Sequence, residues 1–102
     1  MNYVIGILTK TSEVIDDIKS SIDNFEIKRY KSIDYINQTD ISVLAIHFDF
    51  FKSEDVIQFY LSKLRKKLQG IPVILILRIN DQDKFDVDWF FDDFILFPIR
   101  KG

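Results

Sequence analysis

With 102 residues, 47% of them hydrophobic and ten of them phenylalanine, the chain has room for one domain with a filled core, which excludes disorder. A formal net charge of −2 supplies no basic face for nucleic acid, and the absence of cysteine removes disulfides and thiolate chemistry. The N-terminus lacks a signal-peptide pattern and the longest apolar run, residues 71–77, is too short to span a bilayer, so a soluble cytoplasmic chain without membrane contact is expected.

Tyr3–Leu8 is apolar and rich in β-branched residues, which predicts a buried strand. Thr11 or Ser12 then caps a helix, with Glu13 near its positive end. Val14, Ile15, Ile18 and Ile22 form the inner stripe of that helix, and Asp16, Asp17, Lys19 and Asp23 point outward. Phe25–Tyr30 alternates Phe25 and Ile27 with Glu26 and Lys28, as an edge strand with one wet face does. A short helix is predicted over residues 32–37, burying Ile33 and Ile36, and a buried strand over residues 41–48. Ser53 caps a longer helix whose stripe is Val56, Ile57, Tyr60, Leu61, Leu64 and Leu68, and Lys66, Lys67 and Gly70 mark its end. Pro72 opens a strand over residues 73–79, an acidic loop covers residues 80–88, and a last strand over residues 94–97 is closed by Pro98. No repeat or Gly/Ser/Pro-rich linker interrupts this series, so residues 1–102 read as a single domain. Strands alternating with helices imply an α/β domain with a parallel sheet covered on both faces.

Four groups of side chains invite a functional reading. His47, the sole histidine, suits a hydrogen-bonded structural role better than a pH sensor, a metal ligand or a phosphorylated nucleophile. Asp81, Asp83, Asp86, Asp88, Asp92 and Asp93 lack the ligand spacing and turn glycine of a calcium loop and read as a solvated acidic stretch. Lys63, Arg65, Lys66 and Lys67 fall in the last turns of a helix, where the macrodipole accounts for solvated cations. Trp89, Phe90 and Phe91 cannot all face one side of an element, so they form a candidate interface or fill space beside a shortened helix.

Two segments, Pro72-Val73-Ile74-Leu75-Ile76-Leu77 and Asp92-Asp93-Phe94-Ile95-Leu96-Phe97-Pro98-Ile99, resemble the fourth strand and the fifth-strand region of bacterial response-regulator receiver domains. The order of elements agrees with that family from residue 3 to residue 99. The resemblance implies a flavodoxin-like, three-layer α/β fold with five parallel strands in the order 2-1-3-4-5. Receivers accept a phosphoryl group on an aspartate ending the third strand, beside Mg²⁺ held by acidic residues after the first. Here the metal-holding place carries Thr9 and Lys10, and the acceptor place carries His47, with Asp49 two residues on. The expected hydroxyl residue aligns with Leu77 or Arg78, and the expected lysine with Phe97, so the pocket reads as degenerate. Phe97-Pro98 is a candidate cis peptide by the same resemblance. The chain stops where a receiver's fifth helix would begin, which predicts a partly bare face on the first and fifth strands.

The expectation is therefore a non-enzymatic pseudo-receiver without cofactor, the N-terminal part of a longer bacterial signalling protein. It would act through a protein partner or a homodimer, with an effector domain following. Two alternatives stay open: an atypical receiver phosphorylated on Asp49, and a small-ligand sensor with its pocket at the carboxyl ends of the strands.

Overall fold

Each apolar run of the sequence becomes one strand of a single sheet in the computed structural model, which describes residues 3–21, 24–51, 56–78 and 91–97. In chain order the elements are β1 (Tyr3–Leu8), α1 (Glu13–Ser21), β2 (Phe25–Tyr30), a 3-10 turn (Ile33–Tyr35), β3 (Val43–His47), a second 3-10 turn (Phe48–Phe50), α2 (Ile57–Lys67), β4 (Val73–Arg78) and β5 (Asp93–Phe97). All neighbouring strands are parallel and the order is β2-β1-β3-β4-β5, the flavodoxin-like arrangement expected. The three most continuously apolar strands occupy the centre, because a strand covered on both faces has no use for polar alternation.

The two faces have separate cores. On one, Ile5 and Ile7 of β1, Ala45 of β3 and Ile76 of β4 pack against Val14, Ile15 and Ile18 of α1. On the other, Leu8, Leu44, Ile46, Val73, Leu75 and Leu77 pack against Ile57, Leu61 and Leu64 of α2 and against Ile33, Ile36 and Ile41. Burying side chains of this size contributes about 1.5–3 kcal/mol each, which makes the stripe of α2 the main reason that helix stays docked. Gly6 admits a close approach on this second face: a Cβ there would lie 3.0 Å from Ile41 Cγ2 and 3.2 Å from Tyr30 Cε2. The α2 end is closed by Leu68 N donating to Leu64 O at 2.7 Å, and Gly70 takes the left-handed φ of 82° that the turn into β4 needs.

Several expectations change. The helix over residues 32–37 is only a 3-10 turn, capped by Ser32 Oγ accepting from Asp34 N at 3.2 Å, although Ile33 and Ile36 are buried as predicted. The third strand is shorter than residues 41–48: Ser42 engages β1 through its own N–H and Oγ, and the chain tightens into a 3-10 turn at Phe48. Phe25 does not line a buried face; it is 42% exposed at the edge and tilts against Tyr3, ring centroids 5.8 Å apart. The predicted bare face of β1 is covered, since α1 buries Ile5 and Ile7. On β5, by contrast, Phe94 is 49% exposed and Ile95 and Leu96 are half-buried. Ser53, Ile22, Asp23, Ile79, the loop at residues 80–88, Trp89, Phe90, Pro98 and the residues beyond lie outside the described residues.

Candidate functional site

Parallel strands bring all their carboxyl ends to one edge, and there β1 and β3 deliver Thr9 and His47 to each other. Both are buried, His47 to 1% exposure. His47 Nδ1 lies 3.0 Å from Thr9 Oγ1 and 2.9 Å from Asp49 Oδ1. A carboxylate oxygen only accepts, so Nδ1 is assigned a proton, shared between the two oxygens. Thr9 Oγ1 accepts from Thr11 N at 3.2 Å and donates toward Thr11 O at 3.2 Å or Asp49 Oδ1 at 3.4 Å. Asp49 Oδ1 also accepts from the Lys10 backbone N–H at 3.3 Å. Threonine and aspartate meet the same ring nitrogen, which is not the geometry of a nucleophilic triad, where base and orienter use opposite nitrogens.

Of the residues singled out by the sequence, Thr9, Lys10, His47 and Asp49 come together here. Leu77 does not join them. It is 1% exposed inside the α2-side core, because alternate residues of β4 face opposite layers. Phe97 ends β5 in register with Arg78, the side chains of both lying outside the described residues. Phe91 is half-buried against the α2-side core.

Receiver chemistry depends on a divalent cation, and the donor set at this edge does not fit one. Among the described residues Asp49 contributes the only carboxylate beside Thr9 and His47, and it is already bonded to the imidazole and the Lys10 N–H. No group of three or more acidic, histidine or cysteine side chains suited to a metal occurs among the described residues.

A cleft of about 420 Å³ opens beside the cluster, lined by Thr9, Lys10, Arg29, Tyr30, Lys31 and Phe50. Arg29 Nη2 donates to Thr9 O at 3.2 Å, tying the end of β2 to the end of β1. Arg29, Tyr30, Lys31 and Phe50 were not singled out from the sequence. The available signal was a basic triplet at the carboxyl end of a parallel strand.

Two basic side chains of α2 also differ from expectation. Arg65 Nη1 donates to Asp92 Oδ2 at 2.8 Å, and Lys67 Nζ donates to Ile33 O at 2.7 Å, so neither is merely a solvated cation. Asp92 Oδ2 accepts from Val73 N at 2.6 Å, and Asp92 N returns a bond to Val73 O at 2.9 Å. The guanidinium, aided by the Val73 amide, holds the Asp92 carboxyl below the usual carboxylate range against the opposing effect of burial. This clamp sits at the amino end of the sheet, away from His47.

No protein family and no curated protein matches the sequence. Among solved structures, the receiver domain of AraT, a response regulator from Geobacillus stearothermophilus, superposes with a TM-score of 0.69 at 17% identity, covering 96% of this chain and 83% of that one. The fold is that of a receiver domain. No helix among the described residues is long and apolar enough to cross a membrane.

Proposed function

We propose that the chain is a receiver-type regulatory module that works through protein contact and not through aspartyl phosphorylation. The observation that carries this reading is the end of β3, where a phosphoacceptor would stand: buried His47 is there, locked between Thr9 and Asp49. A buried imidazole bonded through Nδ1 to two internal oxygens is not a carboxylate nucleophile. The β1 end adds Lys10, whose charge opposes a divalent cation at that place. With Thr9 and Lys10 where metal ligands are expected and Phe97 where a lysine is expected, the usual stabilisers of charge on a transferring phosphoryl group are replaced.

In this reading the output is a surface, presented to a protein partner, a second copy or a following effector domain in a signalling protein. The partly exposed Ile95 and Leu96 of β5 support it, as apolar side chains at a sheet border suit a contact surface. The decisive experiment exposes the protein to Mg²⁺ with acetyl phosphate, and separately with beryllofluoride. Unchanged intact mass and unchanged backbone amide spectra are expected. An adduct mapped to Asp49, whose side chain is 32% exposed at the same edge, would establish the atypical-receiver alternative instead.

A further inference from the structure

We propose that the cleft beside β1 and β2 binds a small phosphorylated compound carrying a flat ring, of the nucleotide class. Three strand ends build it. Lys10 follows β1, Arg29 and Tyr30 end β2 with Lys31 next, and Phe50 closes the turn after β3. Helix α1 follows β1 on one face of the sheet and α2 follows β3 on the other, and such a reversal leaves a crevice at the carboxyl ends of β1 and β3, where Thr9, Lys10 and Phe50 of this lining stand.

The charge of the lining is the specific signal. A chain of net charge −2 places three cations around this cleft and no carboxylate in its lining. Among the described residues, the Lys10 and Lys31 ammonium groups and the Arg29 guanidinium form no ion pair. Asp49, the nearest acid of the cluster, directs Oδ1 to His47 and to the Lys10 backbone. Arg29 is held in place by its bond to Thr9 O, which uses one donor of the five on its guanidinium. Arginine and lysine together suit a phosphate, one as a fork and the other as a point charge.

The aromatic part is pre-set as well. Tyr30 packs on the α2-side core over Gly6, and Phe50 is wedged edge-on against Phe51 and Tyr60, ring centroids 6.0 and 5.7 Å away. Rings already fixed by the core lose little freedom when a ligand ring joins them. The cleft volume falls in the range typical of small-molecule sites, roughly 300–1,000 Å³. This inference rests on the cleft alone and stands whether or not Asp49 accepts phosphate.

The test is a calorimetric and amide-shift titration of the full chain with AMP, ribose 5-phosphate and adenosine. AMP is expected to bind, ribose 5-phosphate more weakly and adenosine not detectably, with shifts at residues 9–10, 29–31 and 50. The exposed double variant Lys10→Gln/Lys31→Gln should keep its melting temperature and lose about tenfold or more in AMP affinity, as loss of charge-assisted contacts implies. Higher salt should weaken binding in the native chain and less so in the variant. Failure of AMP to bind, or binding untouched by the double variant, overturns the proposal. Equal affinity for AMP and ribose 5-phosphate overturns its aromatic half, and adenosine binding as tightly as AMP overturns its anionic half.

Discussion

Removing the Asp92 side chain tests how the last strand is attached. Asp92→Ala deletes one oxygen that accepts from both the Val73 amide and the Arg65 guanidinium. The ion pair is substantially exposed, with side chains 38% and 43% accessible, so its share is about 0.2–1 kcal/mol. The amide matters more. Val73 is fully buried at the start of β4, and an orphaned buried N–H costs about 1–3 kcal/mol. The sum, about 1–4 kcal/mol, corresponds to a fall of about 5–30 °C in melting temperature for a domain of this size. Urea titration of Asp92→Ala, Arg65→Ala and the double variant separates the terms. Arg65→Ala should cost less than half as much as Asp92→Ala, and in the double variant the Arg65 change should add little further. The pH dependence has a definite sign. A carboxyl held below its ordinary value in the folded state contributes stability that is present above roughly pH 4 and is lost as pH falls through the folded value. The gap between wild type and Asp92→Ala should therefore be flat near neutrality and narrow in acid by the part that needs the charge, since a protonated carboxyl still accepts from Val73 N. Equal costs for Arg65→Ala and Asp92→Ala, or a gap that closes fully in acid, would refute the assignment of most of the cost to the Val73 amide.

Gly6→Ala should destabilise by about 1–2 kcal/mol in urea, because the new methyl meets Ile41 at 3.0 Å and Tyr30 at 3.2 Å; Ile41→Val in the same chain should return part of the loss. Asp49→Ala should cost about 1–2 kcal/mol, since His47 Nδ1–H keeps only Thr9 Oγ1 and the Lys10 N–H loses its acceptor; faster exchange of the Lys10 amide is the specific readout. Lys67→Met should cost about 0.5–1.5 kcal/mol and speed amide exchange around residues 33–36, because Lys67 anchors the carbonyl of Ile33. Leu64→Ala, in the centre of the α2 stripe, should cost about 2–5 kcal/mol and lower the urea midpoint more than any of these.

The central strands are readable because short continuous apolar runs rich in β-branched residues, such as Val73, Ile74 and Ile76 in β4, favour buried strands. The edge position of β2 followed from Glu26 and Lys28. Helix α1 followed from the spacing of Val14, Ile15 and Ile18, which the structure buries on one side. The cluster at Thr9, His47 and Asp49 was legible once β1 and β3 were recognised as neighbours, because parallel register fixes which carboxyl ends meet. The cleft was not, since Lys10, Lys31 and Phe50 converge only through the crossing of three strand ends. The resemblance leaves Leu77 or Arg78 at one position, and since one residue along a strand exchanges the two faces, the alignment alone does not decide the layer; the structure puts Leu77 in the α2-side core. Asp92 read as one acid among several in a wet stretch. Its pairing with Val73 depends on the separation between β4 and β5, which no local pattern encodes.

The unequal borders of the sheet carry a consequence for assembly. One border, β2, presents Glu26, Lys28 and Arg29, and charges along a free strand discourage pairing with another chain. The other, β5, presents Phe94, Ile95 and Leu96. Among the described residues one border is repellent and the other receptive, which makes the sheet a terminator as much as a building block. If two copies join strand to strand through β5, both receptive borders are consumed and growth stops at a closed two-fold pair, leaving no route to a filament.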